Sequence, residues 1–462
     1  MGGDLGSGRR EPDWRGDGRD GRPSRKCWRH PYGELVTERP RIVVVGGGFG
    51  GLAAARELAG EPVDVTIVDR NNFHTFQPLL YQVATSGLAS ADVAMPIRGI
   101  VGRQANLHFR QATVVGADLE RRRLHLEHEL HPVGDIDYDH LIVAAGATTN
   151  TFGIPGVQEH GLPLYNLDDA VRLRNHVLER FEASDADPSA IDDGSLTFVV
   201  VGGGPTGVEV AGALAELIDR VLRRDFQRLD LDRAKVVLLE MRDDLLTPFS
   251  PASRRHARET LEARGVEVRT GTQVAEVHAT SITLGDGTSI PTHTLIWAAG
   301  VQANPLAGAI GLPTDRAGRV PVDSDLSVFG KPEVWFVGDA AAISDRSADR
   351  EGALLAQLAP VAMQSGRHAA RQVLRRLDGR PTEPFRYRDK GTMATIGRSR
   401  AVAELPLGIH LRGFPAWLAW LGLHLVFLAG FRNRIAVFAN WAWNWFTWDR
   451  GPRLIFRRRD GD

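Results

Sequence analysis

Two apolar, β-branched runs, residues 41–45 and 197–201, each lead directly into a glycine-rich turn and then a helix-favouring stretch. A strand, a G-x-G-x-x-G turn and a helix form the unit that binds a dinucleotide, because the glycines allow a tight turn and a close approach to the pyrophosphate. We therefore predict an α/β chain with two Rossmann-like dinucleotide-binding domains. The predicted binding glycines are Gly46, Gly48 and Gly51 in the first unit and Gly202, Gly204 and Gly207 in the second.

An acidic residue ends the next predicted strand of each unit. Asp69 follows the first such strand and is placed to bind a ribose hydroxyl, and Glu240 follows the second. The separation of Gly207 and Glu240 exceeds the roughly 20 residues expected, and we attribute the excess to a helix extension within the charged stretch 219–233. A carboxylate at Glu240 would accept from a 2′-hydroxyl and repel a 2′-phosphate, which favours NADH over NADPH, although Arg242 follows closely.

The order of apolar segments predicts that one domain is inserted into the other. Segments 141–147 and 295–301 are near twins, each a strand that ends in small residues, and they bracket the second domain. The predicted domains are a disordered tail (1–39), a split flavin-binding domain (40–155 and 300–390), a second nucleotide-binding domain (156–299) and a C-terminal region (391–462).

Three further positions carry candidate chemistry. Gly338 and Asp339 follow an apolar strand, and Asp339 is placed either to bind a ribityl hydroxyl, to cap the next helix, or both. A helix predicted from Pro360 to Leu377 would direct its positive N-terminus at the anionic edge of a reduced flavin. Glu209, at the start of the second glycine-turn helix, is either a structural carboxylate favoured by the helix dipole or a group facing the junction of nicotinamide and flavin.

Composition excludes several classes of protein. The net charge of −1 gives no indication of nucleic-acid binding, and the single cysteine, Cys27, excludes an intrachain disulfide relay. Residues 1–39 lack the apolar stretch of a secretory signal.

The C-terminal region is unusually aromatic, with six of the ten tryptophans in the last 50 residues. Residues 413–431 carry no formal charge and exceed the length of about 18 residues at which a membrane span is considered. A central His424, with glycine and proline near the ends, favours a helix that lies on the membrane. A second run places Phe438, Trp441, Trp445 and Trp448 on one helical face, and nearby arginines suit anionic lipid. A dimer interface is the alternative, and both roles could share this region.

These motifs together resemble those of the type II NADH dehydrogenases, single-subunit NADH:quinone oxidoreductases that pump no protons. The resemblance covers residues 40–456 and rests on both glycine turns, the segment from His74 to Ala84, the sequence Val337-Gly-Asp339 and the aromatic C-terminus.

The resemblance implies non-covalent FAD in the first domain, NADH in the second, and a membrane quinone, menaquinone or ubiquinone, as acceptor. It implies a homodimer attached peripherally to the cytoplasmic face of the cell membrane, with no nucleic-acid partner and no metal site. Glu209 matches the family's carboxylate near the nicotinamide. Of the two glutamines in the quinone motif Ala-Gln-x-Ala-x-Gln, only the second is present, at Gln364, because Pro360 replaces the first. Gln357, seven residues before Gln364, is a weaker candidate.

Two other functions remain open at this stage. A soluble NADH-dependent flavin reductase, with oxygen or a protein as acceptor, would not need the aromatic C-terminus. A membrane-bound redox sensor would oxidise NADH slowly whatever quinone is offered.

Overall fold

The structure, a computed structural model, describes residues 28–29, 35–36, 39–346, 352–447 and 451–456. Strands Trp28–Arg29 and Leu35–Val36 form a short antiparallel pair, and the rest of the tail predicted to be disordered, up to residue 38, lies outside the described residues. Trp448 and most of the C-terminal arginines also lie outside them. Arg453 is described, and it pairs with Asp225 at 2.8 Å.

The first sheet has six strands, of which five run parallel. Valines and isoleucines fill the central strands and are buried, as expected for a sheet covered on both faces. Helix α1, Phe49–Glu57, follows the first strand directly. In spatial order the strands are Ser327–Val328, Lys331–Phe336, His140–Val143, Arg41–Val45, Asp64–Asp69 and Leu107–Gln111.

The second sheet has five parallel strands, in the order Gly161–Pro163, Thr294–Trp297, Thr197–Val201, Lys235–Leu239 and Val266–Arg269. Helix α2, Leu167–Ala186, precedes its central strand, and helix α3, Pro205–Glu216, follows that strand. A π-helical turn, Leu217–Leu222, and a short helix, Arg223–Asp225, continue α3, so the predicted helix extension is present as far as Asp225 but not through to residue 233. Helix α4 is Pro251–Glu262.

Helix α5, Ala359–Leu377, confirms the helix predicted from Pro360, and the proline lies in its first turn as expected. It crosses α1 at very short range, where a Cβ added to Gly366 would lie 2.1 Å from the carbonyl oxygen of Gly50. Only glycine fits at this crossing, which fixes the start of α5 beside the first glycine turn.

The C-terminal region begins with a three-stranded antiparallel sheet, Thr392–Thr395, Ala401–Leu405 and Ile409–Arg412. Helices α6, Phe414–Phe427, and α7, Phe431–Thr447, follow. Within the described ranges, no helix combines the length and the apolar character needed to cross a bilayer.

The aromatic face predicted along α7 is divided between the protein body and the surface. Phe438 is exposed, but the Trp441 indole donates to Gln82 at 2.8 Å, and the ring of Trp445 lies 4.3 Å from the Arg398 guanidinium. The exposed apolar side of α7 instead includes Phe431, Ile435, Phe438 and Phe446.

Shorter strands form five further small sheets among the described residues. The strands of these sheets are Phe73–Thr75 and Ala94–Pro96; Thr113–Asp118, Arg123–Glu127 and Ile136–Asp137; Ala147–Thr149 and Val301–Ala303; Val274–Val277, Ser281–Leu284 and Ser289–Pro291; and Val320–Pro321 and Ala341–Ala342.

Candidate functional site

The first glycine turn has no room for side chains at two of its three motif positions. Gly46 has a φ of +101°, and a Cβ there would lie 2.3 Å from the carbonyl oxygen of Ala144. A Cβ on Gly51 would lie 1.8 Å from the carbonyl oxygen of Gly46. At Gly48 a Cβ would meet nothing within 4 Å, so this is the open side of the turn.

The second turn repeats this geometry. Gly202 has a φ of +112°, and a Cβ there would lie 2.6 Å from the carbonyl oxygen of Ala298. A Cβ on Gly207 would lie 1.8 Å from the carbonyl oxygen of Gly202, and Gly204 faces open space. The two turns are therefore built on the same plan, although their sequences differ.

The two strand-end carboxylates also make matching contacts. Asp69 accepts from the N–H of Gly47 at 2.6 Å and of Asn71 at 2.7 Å. Glu240 accepts from the N–H of Gly203 at 2.5 Å and of Arg242 at 2.8 Å. Each carboxylate thus holds its own glycine turn in place, a structural role that the sequence analysis did not predict. Carboxylate oxygens have further lone pairs, so a ribose hydroxyl can still bind.

Both turns end at a helix start whose N–H groups receive no side-chain cap. The N-cap residues are Gly48 for α1 and Gly204 for α3, and neither offers a side-chain acceptor. Unpaired N–H donors at a helix N-terminus bind phosphate, and here they adjoin the open side of each turn. The residues present therefore fit two dinucleotides.

Asp339 lies in a buried turn between the first sheet and α5. Gly338 has a φ of +63°, and its N–H donates to Ser365 Oγ of α5 at 3.0 Å. Burial raises the pKa of Asp339 to about 6, opposed by a hydrogen bond from Tyr165. Asp339 caps neither neighbouring helix, because Val337 and Leu358 occupy the N-cap positions. The capping alternative is therefore wrong, and the carboxyl group bonds to the Tyr165 side chain instead.

The two glutamines near the start of α5 have different partners. Gln364 donates to the carbonyl of Arg388 and accepts from its N–H, both at 3.0 Å. Gln357 lies just before α5 and donates to the backbone carbonyl of Asp339 at 3.0 Å. The helix begins at Ala359, so Gln357 lies before it, and the proline at position 360 does not prevent Gln357 from contacting the Asp339 turn.

Glu209 lies two turns from the far end of α3 and is buried against the C-terminal region. It accepts from the N–H and hydroxyl of Thr395 at 3.2 and 3.4 Å, and the Trp420 side chain of α6 also hydrogen bonds to it. Burial raises the pKa of Glu209 to about 8, so the group is mostly protonated at neutral pH. The Tyr81 hydroxyl lies 3.0 Å from Thr395 Oγ1 and extends this network.

A series of aromatic rings leads from the first glycine turn to the C-terminal helices. His74 bonds through Nδ1 to the carbonyl of Gly47 at 3.0 Å and meets Phe49 edge to face, with ring centres 5.1 Å apart. Phe76 contacts both Phe49, at 5.7 Å, and His424, at 6.0 Å. His424 stacks on Trp420 at 3.9 Å. Burial lowers the pKa of both histidines to about 4, so both are neutral.

The structure brings Glu209 together with residues that the sequence analysis did not single out. Thr395 and Tyr81 join the Glu209 network, and Tyr165 bonds to Asp339. Tyr81 lies in the segment from His74 to Ala84, whereas no local motif marks Thr395 or Tyr165. The other predicted residues lie in three places: Asp69 lies beside the first glycine turn, Glu240 beside the second, and Asp339 beside the start of α5.

Comparison with known proteins places this geometry in context. Residues 40–366 match the family described as pyridine nucleotide-disulphide oxidoreductase, and residues 390–448 match the NDH2 C-terminal domain. The type II NADH:quinone oxidoreductase Ndh of Mycobacterium tuberculosis is 37% identical over 430 residues, covering 90% of each chain. The internal alternative NAD(P)H-ubiquinone oxidoreductase A1 of Arabidopsis thaliana is 32% identical, covering 87% of this chain and 84% of its own.

A solved structure shares the fold. The NDH2 of Plasmodium falciparum, in complex with NADH, matches with a TM-score of 0.82 at 20% identity, covering 91% of this chain and all of that one.

Proposed function

Because the chain belongs to the type II NADH:quinone oxidoreductases, within the pyridine nucleotide-disulphide oxidoreductases, we propose that the flavin it holds is FAD and that its donor is NADH rather than NADPH. It is a single-subunit flavoenzyme that transfers electrons from NADH to a quinone. A flavin held by these residues would supply the chemistry of this transfer, because it can take a hydride from a nicotinamide and give two electrons to a quinone.

The observation that carries the cofactor assignment is the repetition of one turn geometry at Gly46 and Gly202, each with an uncapped helix start. We assign FAD to the first turn, because Asp339 and the start of α5 lie on its side of the fold and suit a ribityl chain and a flavin edge. We assign NADH to the second turn, where Glu240 disfavours a 2′-phosphate. The proposed domains are 40–155 with 300–390 for FAD, 156–299 for NADH, and 391–462 for membrane attachment and dimerisation.

Glu209 is proposed to hold a proton at the junction of the two nucleotide sites. The raised pKa keeps it neutral, so it does not repel the phosphates or a reduced flavin, and it can donate a proton that the reduced acceptor requires. Thr395 fixes the orientation of its carboxyl group. Its contact with Trp420 of α6 places this proton beside the C-terminal helices.

Gln364 is proposed to shape the quinone site from α5. Its paired bonds to the Arg388 backbone indicate that it acts by holding residues 388–390, which lead into the C-terminal sheet, against α5. Gln357 is the glutamine that contacts the Asp339 turn, and it is a second candidate for direct contact with quinone.

Helices α6 and α7 are proposed to attach the enzyme to the membrane without spanning it. Large apolar side chains are exposed on both helices, and such a contiguous surface indicates an interaction site. The same region could contribute to a homodimer. We propose the cytoplasmic face, where NADH is produced. The exposed residues include Val426, Phe427, Phe431, Ile435, Phe438 and Phe446.

Chromophore analysis and vesicle binding test these assignments separately. Denaturation of the purified protein should release FAD, identified by its mass; release of FMN or of no flavin would contradict the assignment.

The protein should float with phosphatidylglycerol vesicles. Replacement of Phe438 and Phe446 by serine should reduce flotation, whereas Leu130→Ser, at an exposed leucine in a distant loop, should not. Equal flotation of both variants would argue against attachment through α7.

A further inference from the structure

One face of α3 is joined to the C-terminal sheet at three successive positions. Glu209 bonds to Thr395, as described above. One turn further along, a Cβ on Gly212 would lie 3.0 Å from the backbone nitrogen of Gly397, so the two backbones are in close contact. At the end of the helix, the buried Glu216 accepts from the N–H of Arg398 at 2.5 Å.

A second arginine completes the contact at Glu216. Arg264 forms an ion pair with the Glu216 carboxylate and also donates to the carbonyl of Arg398 at 2.7 Å. Both backbone polar groups of Arg398 are thus held by side chains of the NADH-binding unit. A buried carboxylate paired in this way is costly to disrupt, because removing a partner leaves a charge without compensation.

The side chain of Arg398 reaches in the opposite direction, to the end of α7. Its guanidinium donates to the carbonyl of Asn444 at 3.2 Å and to that of Trp445, and it lies over the Trp445 ring. These carbonyls lie in the last described turn of α7, Phe431–Thr447. A cation at this end also complements the helix dipole.

We propose that Arg398 is a positioning residue that couples the end of the membrane-attachment helix α7 to α3, and thereby to Glu209 at the nucleotide junction. Its backbone is fixed to α3 through Glu216, and its side chain is fixed to α7. A displacement of α7 is therefore transmitted to the helix that carries Glu209. Asn433, Asn440, Trp441 and Asn444 of α7 donate hydrogen bonds to residues 82–94 of the protein body.

The consequence for turnover rests on the proposed function. The NADH site is formed by the second glycine turn and does not need Arg398, so hydride transfer to the flavin should be unaffected by its loss. The aromatic cavity beside Tyr81, which is lined by Arg398, Trp420, Trp441 and Trp445, depends on the position of α7. Reduction of the quinone should therefore be the step that suffers.

Hydrogen–deuterium exchange on the oxidised holoenzyme tests the coupling directly. Arg398→Gln removes the guanidinium but keeps the backbone N–H that Glu216 binds. We expect exchange to rise at least about fivefold both at residues 441–447 and at residues 209–216. Arg380→Gln, at an exposed arginine paired with Asp378, is the matched control and should change neither segment. A rise confined to residues 441–447 would overturn the coupling.

Rapid kinetics give the second readout, normalised to bound flavin. In Arg398→Gln, reduction by NADH should stay within about twofold of wild type, while reoxidation by a soluble quinone analogue slows about fivefold. Equal slowing of both steps, or of neither, would refute the positioning role. Glu216→Gln should show the same pattern and decides the question if Arg398→Gln does not fold. If the wild type itself fails to reduce quinone, the proposed function fails, and the exchange result still tests the coupling.

Discussion

The carboxyl group of Glu209 accepts hydrogen bonds from both the N–H and the hydroxyl of Thr395, at 3.2 and 3.4 Å. This contact joins α3 to the C-terminal sheet and buries an acid that is protonated at neutral pH, because burial raises its pKa to about 8. Tyr81 is the ionisable group that faces it, and its own pKa is raised by burial and by the Glu209 charge.

The raised pKa of Glu209 predicts a specific dependence of stability on pH. Between its unfolded value of 4.5 and about 8, the folded protein binds one more proton than the unfolded protein at this site. The free energy of unfolding should therefore fall as the pH rises, by up to about 1.4 kcal/mol per pH unit. Glu209→Gln should remove this contribution. Urea denaturation of both proteins from pH 5 to 8 measures the difference, and parallel pH profiles would contradict the burial of a protonated acid.

The two glycine turns should be separable by mutation. Gly51→Ala places a Cβ 1.8 Å from a backbone oxygen and should yield protein without flavin. Gly207→Ala creates the same clash in the second turn and should yield protein that keeps its yellow colour but binds NADH at least about tenfold more weakly. Gly308→Ala, where a Cβ meets nothing within 4 Å, is the control and should retain both ligands. Loss of flavin in Gly207→Ala would contradict the assignment of the turns.

Glu240 should determine the preference between the two nicotinamide donors. Its carboxylate repels a 2′-phosphate, so Glu240→Gln should raise kcat/KM for NADPH relative to NADH by about tenfold, a change of roughly 1.4 kcal/mol. The amide oxygen can still accept from the N–H of Gly203, whereas the bond from the N–H of Arg242, which goes to the other carboxylate oxygen, is lost. Steady-state rates with both donors provide the measurement, and an unchanged ratio would show that another group selects the donor.

Replacement of Gln364 should slow only the reoxidation of the flavin by quinone, whereas replacement of Gln357 should affect both half-reactions. Gln364→Leu breaks two hydrogen bonds to the Arg388 backbone and should slow reoxidation of the flavin by quinone several-fold, while reduction by NADH is unchanged. Gln357→Leu releases the carbonyl of Asp339, which we propose to lie beside the flavin, and should alter both half-reactions. Stopped-flow traces of each step distinguish them. Equal loss of both steps in Gln364→Leu would refute its role at the quinone site.

Local sequence patterns were sufficient to predict those elements of the fold that a single continuous segment of the chain determines. The two strand–turn–helix units follow from glycine spacing after apolar runs, and the start of α5 follows from Pro360. The same patterns did not show that Asp69 and Glu240 hold their own turns, because that requires knowing how the strand end and the turn meet.

The contacts that define the site could not be predicted from the sequence, because they join residues that are far apart along the chain. Thr395 is 186 positions from Glu209, and nothing in either local sequence indicates the pairing. The predicted aromatic face of α7 is divided for a related reason: Phe438 is exposed, but Gln82 and Arg398 provide polar partners that hold Trp441 and Trp445 against the protein body.

The most direct test of the account is an anaerobic two-step experiment that follows the visible absorbance of the oxidised flavin. NADH should bleach the flavin of the purified enzyme at least as fast as the enzyme turns over. A menaquinone or ubiquinone analogue should then restore the absorbance without oxygen. A protein that bleaches with NADH but recovers only when oxygen or a protein acceptor is added would contradict direct electron transfer to quinone.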